Sequence, residues 1–373
     1  MKKAHQSRSF VFTIFFSMFV IVLALDSYLI ASYLRYNFRW YPNQLFMAWL
    51  VIWLLSFTYL FGEMLSRVTG FFKLKWLGGV ILAWLSIITS LILVGIIPLL
   101  LGFRDPVYAE LVLASSILLT LWGVINQWRK PIVKRITPYF PFLLEKRPPI
   151  TLVQLSDIHL NGLKSVHSIK SLVDQINQLE PDVVVFTGDL LDTKVRYVQP
   201  HLDYLANIKA SVKLAVSGNH DFYSNYDVFK DVIQKAGFDC IDSSVKTFYF
   251  DKQDRSLRFV GLPDSDYQRF VGEPLSLKDL LAADSSSFDL TVLLRHRPIE
   301  YEQSYPLGVD LQLSGHTHDG QIPPWGLLVR LAFKYHYGLH KVENGYVYTT
   351  KGTSTWGPPV RLFGPSEIPF FYL

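Results

Sequence analysis

Two patterns of apolar and polar positions divide this chain. As far as about residue 128, apolar residues run on with few breaks. Ser9–Leu25, Trp40–Gly62, Trp76–Phe103 and Leu111–Trp128 carry no charged residue. A helix that crosses a bilayer needs about 20 mostly apolar residues, so residues 1–128 are expected to form an all-α region of four spanning helices. Trp40, Tyr41, Trp76, Tyr108 and Trp128 stand at the edges of these runs, where amphipathic rings anchor at the interface. Met1–Leu25 has the basic start and apolar run of a signal sequence, but no small-residue cleavage site follows, and three more runs need a membrane.

From Ile150 the period changes. Short apolar runs of strand length now end in polar turns: Ile150–Leu155, Val183–Thr187, Val212–Val216, Leu257–Leu262, Leu290–Leu294, Val309–Leu313 and Tyr346–Thr350. Between the first two, Val166, Ile169, Leu172, Val173, Ile176 and Leu179 repeat with helical spacing before Pro181. Alternating strand and helix with β-rich cores predicts an α/β domain over 150–373. The stretch 129–149 belongs to neither pattern. Its five prolines and its basic residues, interleaved with apolar ones, predict a linker along the membrane surface.

Charge sharpens the division. Residues 1–150 hold 15 Lys/Arg and 5 Asp/Glu, whereas 151–373 hold 21 and 26. A basic apolar front half favours anionic lipid as a partner, and an acidic back half argues against nucleic acid. No protein partner is indicated. Lys/Arg near the apolar runs collect at the N-terminal end, in the second loop and after Trp128, which predicts a multi-pass inner-membrane protein with both termini and the α/β domain in the cytoplasm. Asp26 and Glu63 read as solvated span ends. The single cysteine, Cys240, excludes an internal disulfide and a cysteine zinc finger.

The candidate chemistry lies where the strands end. Sites in open α/β sheets form beyond the carboxyl ends of the strands. Five runs lead there into Asp157-Ile158-His159, Gly188-Asp189-Leu190-Leu191-Asp192, Gly218-Asn219-His220-Asp221, His296-Arg297-Pro298 and Gly315-His316-Thr317-His318. These turns contain five of the ten histidines. Asp, Asn and His donors suit hard-to-borderline divalent metals.

Taken together, the five blocks resemble the calcineurin-like metallophosphoesterase superfamily over about residues 150–373. Gly320-Gln321-Ile322 and the run from Gly352 to Arg361 are similar to its bacterial membrane-associated branch, which places spanning helices before the phosphoesterase domain. The resemblance implies a four-layer α-β-β-α sandwich and two divalent metal ions, for which Mn, Fe and Zn are all suited. It implies that Asp157, His159 and His318 hold one metal, that Asn219, His296 and His316 hold the other, and that Asp189 bridges them. It also implies that His220 protonates the leaving group, oriented by Asp192. Two positions depart from the branch: Asp319, where Gly is usual, and Asp221, where Glu is commoner. Lys351 and Arg361 are candidates for a phosphate or headgroup contact, with structural roles as the alternative. Trp356-Gly357-Pro358-Pro359 reads as a loop shaped by packing. The expected activity is hydrolysis of a phosphoester or pyrophosphate, in a lipid-linked or amphiphilic substrate. The alternatives are a UDP-2,3-diacylglucosamine pyrophosphatase of lipid A synthesis, a tethered phosphodiesterase of soluble nucleotides, and a non-enzymatic membrane scaffold.

Overall fold

The computed structural model describes residues 28, 30, 33, 41–100, 107–140, 147–284 and 286–373. The chain forms two compact units. One comprises the described residues up to Ile125 together with Ile322–Pro324 and Gly357–Leu362; the other comprises Asn126–Gln321, Trp325–Trp356 and Phe363–Leu373.

The first unit is helical. Pro42–Thr69, Lys73–Leu100 and Val107–Gln127 are its long helices. Within them, Phe46–Ser66, Lys73–Val94 and Val107–Gln127 are long and apolar enough to cross a membrane. The expected first span, with Asp26, lies outside the described residues. The first two helices approach closely at Gly62, where a Cβ would stand 2.5 Å from the Lys75 backbone nitrogen. Small residues allow such contact where apolar helices meet. Glu63 is not a solvated end: its carboxylate pairs with Lys75 at 2.6 Å, and both side chains are largely buried.

Two short segments from far along the chain complete this unit, a feature absent from the expected division at 128 and 150. Ile322 and Val360 are buried with Ala83, Ile87 and Val124. Ser86 Oγ donates to Pro323 O at 2.6 Å, and Arg361 N donates to Gly123 O at 3.0 Å.

The second unit contains two six-stranded sheets. The first contains β1 (Ile132–Ile136), β2 (Thr151–Leu155), β3 (Val183–Thr187), β4 (Val212–Val216), β5 (Asp239–Cys240) and β12 (Glu367–Tyr372), in the order β1-β12-β2-β3-β4-β5. The second contains β6 (Ser244–Phe250), β7 (Arg255–Leu262), β8 (Leu290–Arg295), β9 (Leu311–Ser314), β10 (Gly338–Val342) and β11 (Gly345–Thr349), in the order β10-β11-β9-β8-β7-β6. β2, β3 and β4 run parallel, as do β7, β8, β9 and β11. β1 lies inside the stretch expected to be a linker and pairs in parallel with β12. Arg135 is exposed on this edge strand, whereas Lys134 shares the face of buried Ile136 and donates to Tyr337 Oη at 2.9 Å.

Burial explains the arrangement. Leu152, Val183, Val185 and Leu214 of the first sheet share one core cluster with Phe259, Val292, Leu294, Leu313 and Tyr348 of the second. On the other face of the first sheet, Val153, Val184 and Phe186 pack with Ile169, Leu172 and Val173 of the helix Val166–Gln178. On the other face of the second sheet, Val260, Leu293 and Val347 pack with Leu280 and Tyr301. Strands covered on both faces read as near-continuous apolar runs. β2, β3, β4, β8 and β9 therefore end together, and each hands the chain to a polar turn.

Candidate metal centre

The turns are bound to one another by backbone and carboxylate hydrogen bonds. Asp157 N donates to Gly188 O at 2.9 Å, His159 N to Asp189 O at 3.0 Å, and Gly315 N to His296 O at 2.8 Å. His316 N donates to Asp157 Oδ1 at 3.1 Å. Backbone conformation then turns the donors inward. Asp157, His159, Asp189, His316 and His318 all have positive φ, between 47° and 71°. Non-glycine residues rarely adopt this region, and each such position costs about 1–3 kcal/mol unless its surroundings hold it there. Five such residues at one place indicate strain kept for function. Gly188, at φ 94°, allows the turns to close: a Cβ there would stand 2.6 Å from His296 Nδ1.

The structure brings together Asp157, His159, Asp189, Asp192, His220, His296, His316 and His318. The donor atoms of Asp157, His159 and His318 lie within 4.8 Å of one another, and so do those of Asp189, His296 and His316. His159 Nε2 faces His318 Nε2 at 3.1 Å, and His316 Nδ1 faces His296 Nε2 at 3.3 Å. Asp189 Oδ2 stands between the two sets, 3.2 Å from His296 Nε2 and 3.7 Å from His159 Nε2. Its Oδ1 accepts from His220 N at 2.8 Å. Asn219 Oδ1 is buried and accepts no hydrogen bond among the described residues. Two ligands of one ion, each about 2.1 Å from it, stand roughly 3.0–3.4 Å apart. The spacings and the orphaned amide oxygen therefore fit a pair of divalent ions.

The nitrogens turned away from this cluster are fixed. His296 Nδ1 donates to Thr187 O at 2.7 Å, which leaves the lone pair of Nε2, on the side of Asp189, free to bind a cation. Asp192 Oδ1 accepts from His159 Nδ1 at 3.0 Å and from His220 Nδ1 at 2.8 Å. One carboxylate thus orients both a candidate ligand and the candidate acid. Asp192→Asn is expected to weaken metal affinity by about 10- to 100-fold, the usual effect of removing a ligand's partner. Metal titration against a competing chelator checks this, and unchanged affinity would limit Asp192 to His220.

Electrostatics point the same way. Burial pushes the Asp192 carboxyl up, but His159 and His220 outweigh it and hold it well below the usual range. Asp189 is likewise held low by His296 and His220 against its burial. Burial pulls the His220 imidazole down, but Asp189 and Asp192 push it up to about 9. Buried carboxylates that stay ionised create a field suited to cations.

Sequence reasoning missed the role of Asp221. Its carboxylate accepts from the backbone nitrogens of Gly218, Asp189, Leu190 and Leu191, and so clamps the β3 and β4 turns together. The only signal was its place three residues after Gly218, at the start of the helix Asn219–Ser224. Asp319 is buried and paired with Lys351 at 3.2 Å, so its added charge is matched. Lys351 Nζ also donates to Phe363 O at 3.0 Å. Arg361 is completely buried, in the segment that joins the helical unit. Trp356 packs edge-on against His220 at 5.8 Å between ring centroids and exchanges hydrogen bonds with Gln321.

Two sheets whose strand-end turns gather Asp and His donors that could hold divalent cations define a candidate metallohydrolase. Residues 150–320 match the family model described as calcineurin-like phosphoesterase. A metallophosphoesterase of Aquifex aeolicus is 31% identical over 237 residues, covering 60% of this chain and 85% of its own length. A transmembrane protein with metallophosphoesterase domain from Danio rerio is 30% identical over 275 residues, covering 72% of this chain. The chain spans 62% of the length of that zebrafish relative. A solved dimetal phosphatase from Danio rerio is 15% identical, with a TM-score of 0.41 over 61% of this chain and 93% of its own. The chain belongs to the calcineurin-like metallophosphoesterase family.

Proposed function

We propose that the protein is a membrane-anchored dinuclear-metal phosphoesterase. It hydrolyses a phosphoester or pyrophosphate bond in a lipid-linked or amphiphilic substrate, with its site on the cytoplasmic face. The observation that supports this most is Asp189, whose one carboxylate oxygen faces both sets of donors. In this reading Asp157, His159 and His318 hold one divalent ion, Asn219, His296 and His316 hold the second, and Asp189 is shared. When bound, two such ions supply a nucleophilic water at neutral pH and neutralise phosphate oxygens.

The chain's own residues do the rest. Asp192 fixes the ring of His159, and Thr187 O fixes that of His296. His220 has Nδ1 tied to Asp192, so its Nε2 is the atom that delivers a proton to the leaving oxygen. Mn, Fe and Zn all suit these N and O donors.

The preference for lipid rests on the apolar helices and on the basic front half of the chain. The test is a substrate comparison with purified full-length protein in detergent and Mn²⁺. Turnover of lipid phosphoesters, or of UDP-2,3-diacylglucosamine, well above that of soluble nucleotides is expected. Equal or faster turnover of nucleotides would leave the chemistry standing but reject the lipid substrate.

A further inference from the structure

The short helix Asn219–Ser224 joins the metal centre to an exposed ring. Asn219 and His220 belong to the centre, and Phe222 is buried. Tyr223 stands three positions after His220, where side chains of a helix are neighbours. Its ring meets that of His220 at 5.5 Å between centroids, yet Tyr223 is 56% exposed. A second ring arrives from the far end of the chain. Trp356 meets His220 at 5.8 Å and is 49% exposed. His220 also packs at 4.8 Å against His159, whose Nε2 lies 3.7 Å from Asp189 Oδ2. One imidazole therefore touches both the donor cluster and two rings open to solvent.

Both rings are held in place. Tyr223 Oη donates to Asp266 Oδ2 at 3.0 Å, and its ring lies 6.5 Å from that of Phe270. Asp266 in turn lies 3.6 Å from Arg297, the residue after His296, and Arg297 also pairs with Asp264 at 2.7 Å. The backbone of Trp356 donates to Gln321 Oε1 at 3.1 Å and accepts from Gln321 Nε2 at 3.0 Å. Neither ring serves only to fill a core, since about half of each is left to water. Tyr and Trp fixed beforehand in this way offer flat contact area at low entropic cost. Small-molecule sites combine such walls with a few placed polar groups; here the polar groups are the Asp and His donors and His220.

We propose that Tyr223 and Trp356 form the leaving-group subsite of the phosphoesterase, and that the leaving group carries a flat aromatic ring, a nucleobase or another aryl group. This rests on the role proposed above for His220: a group that departs from phosphorus beside His220 meets the rings that touch it. In the hydrolysis, the oxygen of water bonds to phosphorus and the P–O bond to the ring-bearing alcohol breaks. His220 gives the departing oxygen its proton, and the lipid stays with the phosphoryl group.

The test uses full-length protein in detergent with Mn²⁺ and two pairs of diesters, each pair differing in a flat ring. They are adenosine 5′-methyl phosphate against methyl riboside 5′-methyl phosphate, and benzyl methyl phosphate against cyclohexylmethyl methyl phosphate. Stacking on one aromatic side chain is worth about 5- to 100-fold, so kcat/KM is expected to favour the ring by about tenfold or more in at least one pair. Preference in the first pair alone assigns the subsite to a nucleobase; preference in the second assigns it to aryl groups in general. Tyr223→Leu/Trp356→Leu is expected to erase most of the preference, and Tyr223→Phe to keep it. Equal losses on both members of a pair would mark a purely structural role and overturn the proposal. So would the absence of any preference in the wild type, a comparison that needs no variant to fold. Faster turnover of choline methyl phosphate than of either ring ester would also overturn it, by assigning the rings to a quaternary ammonium. Metal-dependent hydrolysis of all the esters alike would reject the subsite and leave the phosphoesterase standing. Were no ester hydrolysed, the phosphoesterase assignment would fall and binding would decide the subsite. Adenosine 5′-phosphate bound about tenfold tighter than ribose 5-phosphate would uphold it, and equal affinity would reject it.

Discussion

Asp189→Asn is expected to lower kcat/KM by at least about three orders of magnitude, roughly 4 kcal/mol of transition-state stabilisation. The substitution keeps the volume of the side chain and removes its charge. Asp189 is buried, and its Oδ2 faces His296 on one side and His159 on the other. An amide there offers one oxygen to two positions and no negative charge to balance them. The His220 N–H bond to Oδ1 can survive, so the turn itself should hold. Metal content should therefore fall while circular dichroism and membrane insertion stay unchanged. Full turnover in this variant would refute the shared-ligand role.

The second large effect concerns His220. His220→Asn is expected to cost about 10²- to 10⁴-fold on a substrate with a poor leaving group, the range for a positioned proton donor. Metal content should not change, because His220 hangs on Asp192 and not on the donor set. With p-nitrophenolate, which needs no proton to depart, the loss should shrink by at least about tenfold. Leaving-group comparison in the wild type and the variant reads this directly. Equal losses on both substrates would make His220 a structural or phosphate-binding residue instead.

Much of the site was legible because sheet physics writes it into the sequence. β2, β3, β4, β8 and β9 are covered on both faces, so they appear as short, mostly apolar runs that stop where the chain turns. The donors follow those stops. Other elements hid for equally physical reasons. Pro369 lies inside β12 and has no N–H to donate, so Glu367–Tyr372 does not read as a strand. β1 sits among prolines and basic residues, and β5 has only two residues. Of the supporting contacts, only the pairing of Asp192 with His220 was expected. That Asp192 serves both His159 and His220, that Asp221 gathers four backbone N–H groups, and that Asp319 is neutralised by Lys351 are facts of three-dimensional approach. No spacing announces them. Likewise, nothing in Ile322–Pro324 or Gly357–Leu362 marked them as part of the helical unit. Ile322 and Val360 are buried with residues far earlier in the chain, Ala83, Ile87 and Val124.

As proposed, seven residues on five strand-end turns hold two divalent ions for phosphoester hydrolysis. The most direct measurement is metal stoichiometry by plasma mass spectrometry on purified full-length protein, paired with hydrolysis of bis(p-nitrophenyl) phosphate before and after chelation. Two ions per chain, activity lost on chelation and activity restored by a divalent metal are the results predicted. Hydrolysis that persists in fully metal-free protein, or a chain that binds no divalent ion, would contradict the account.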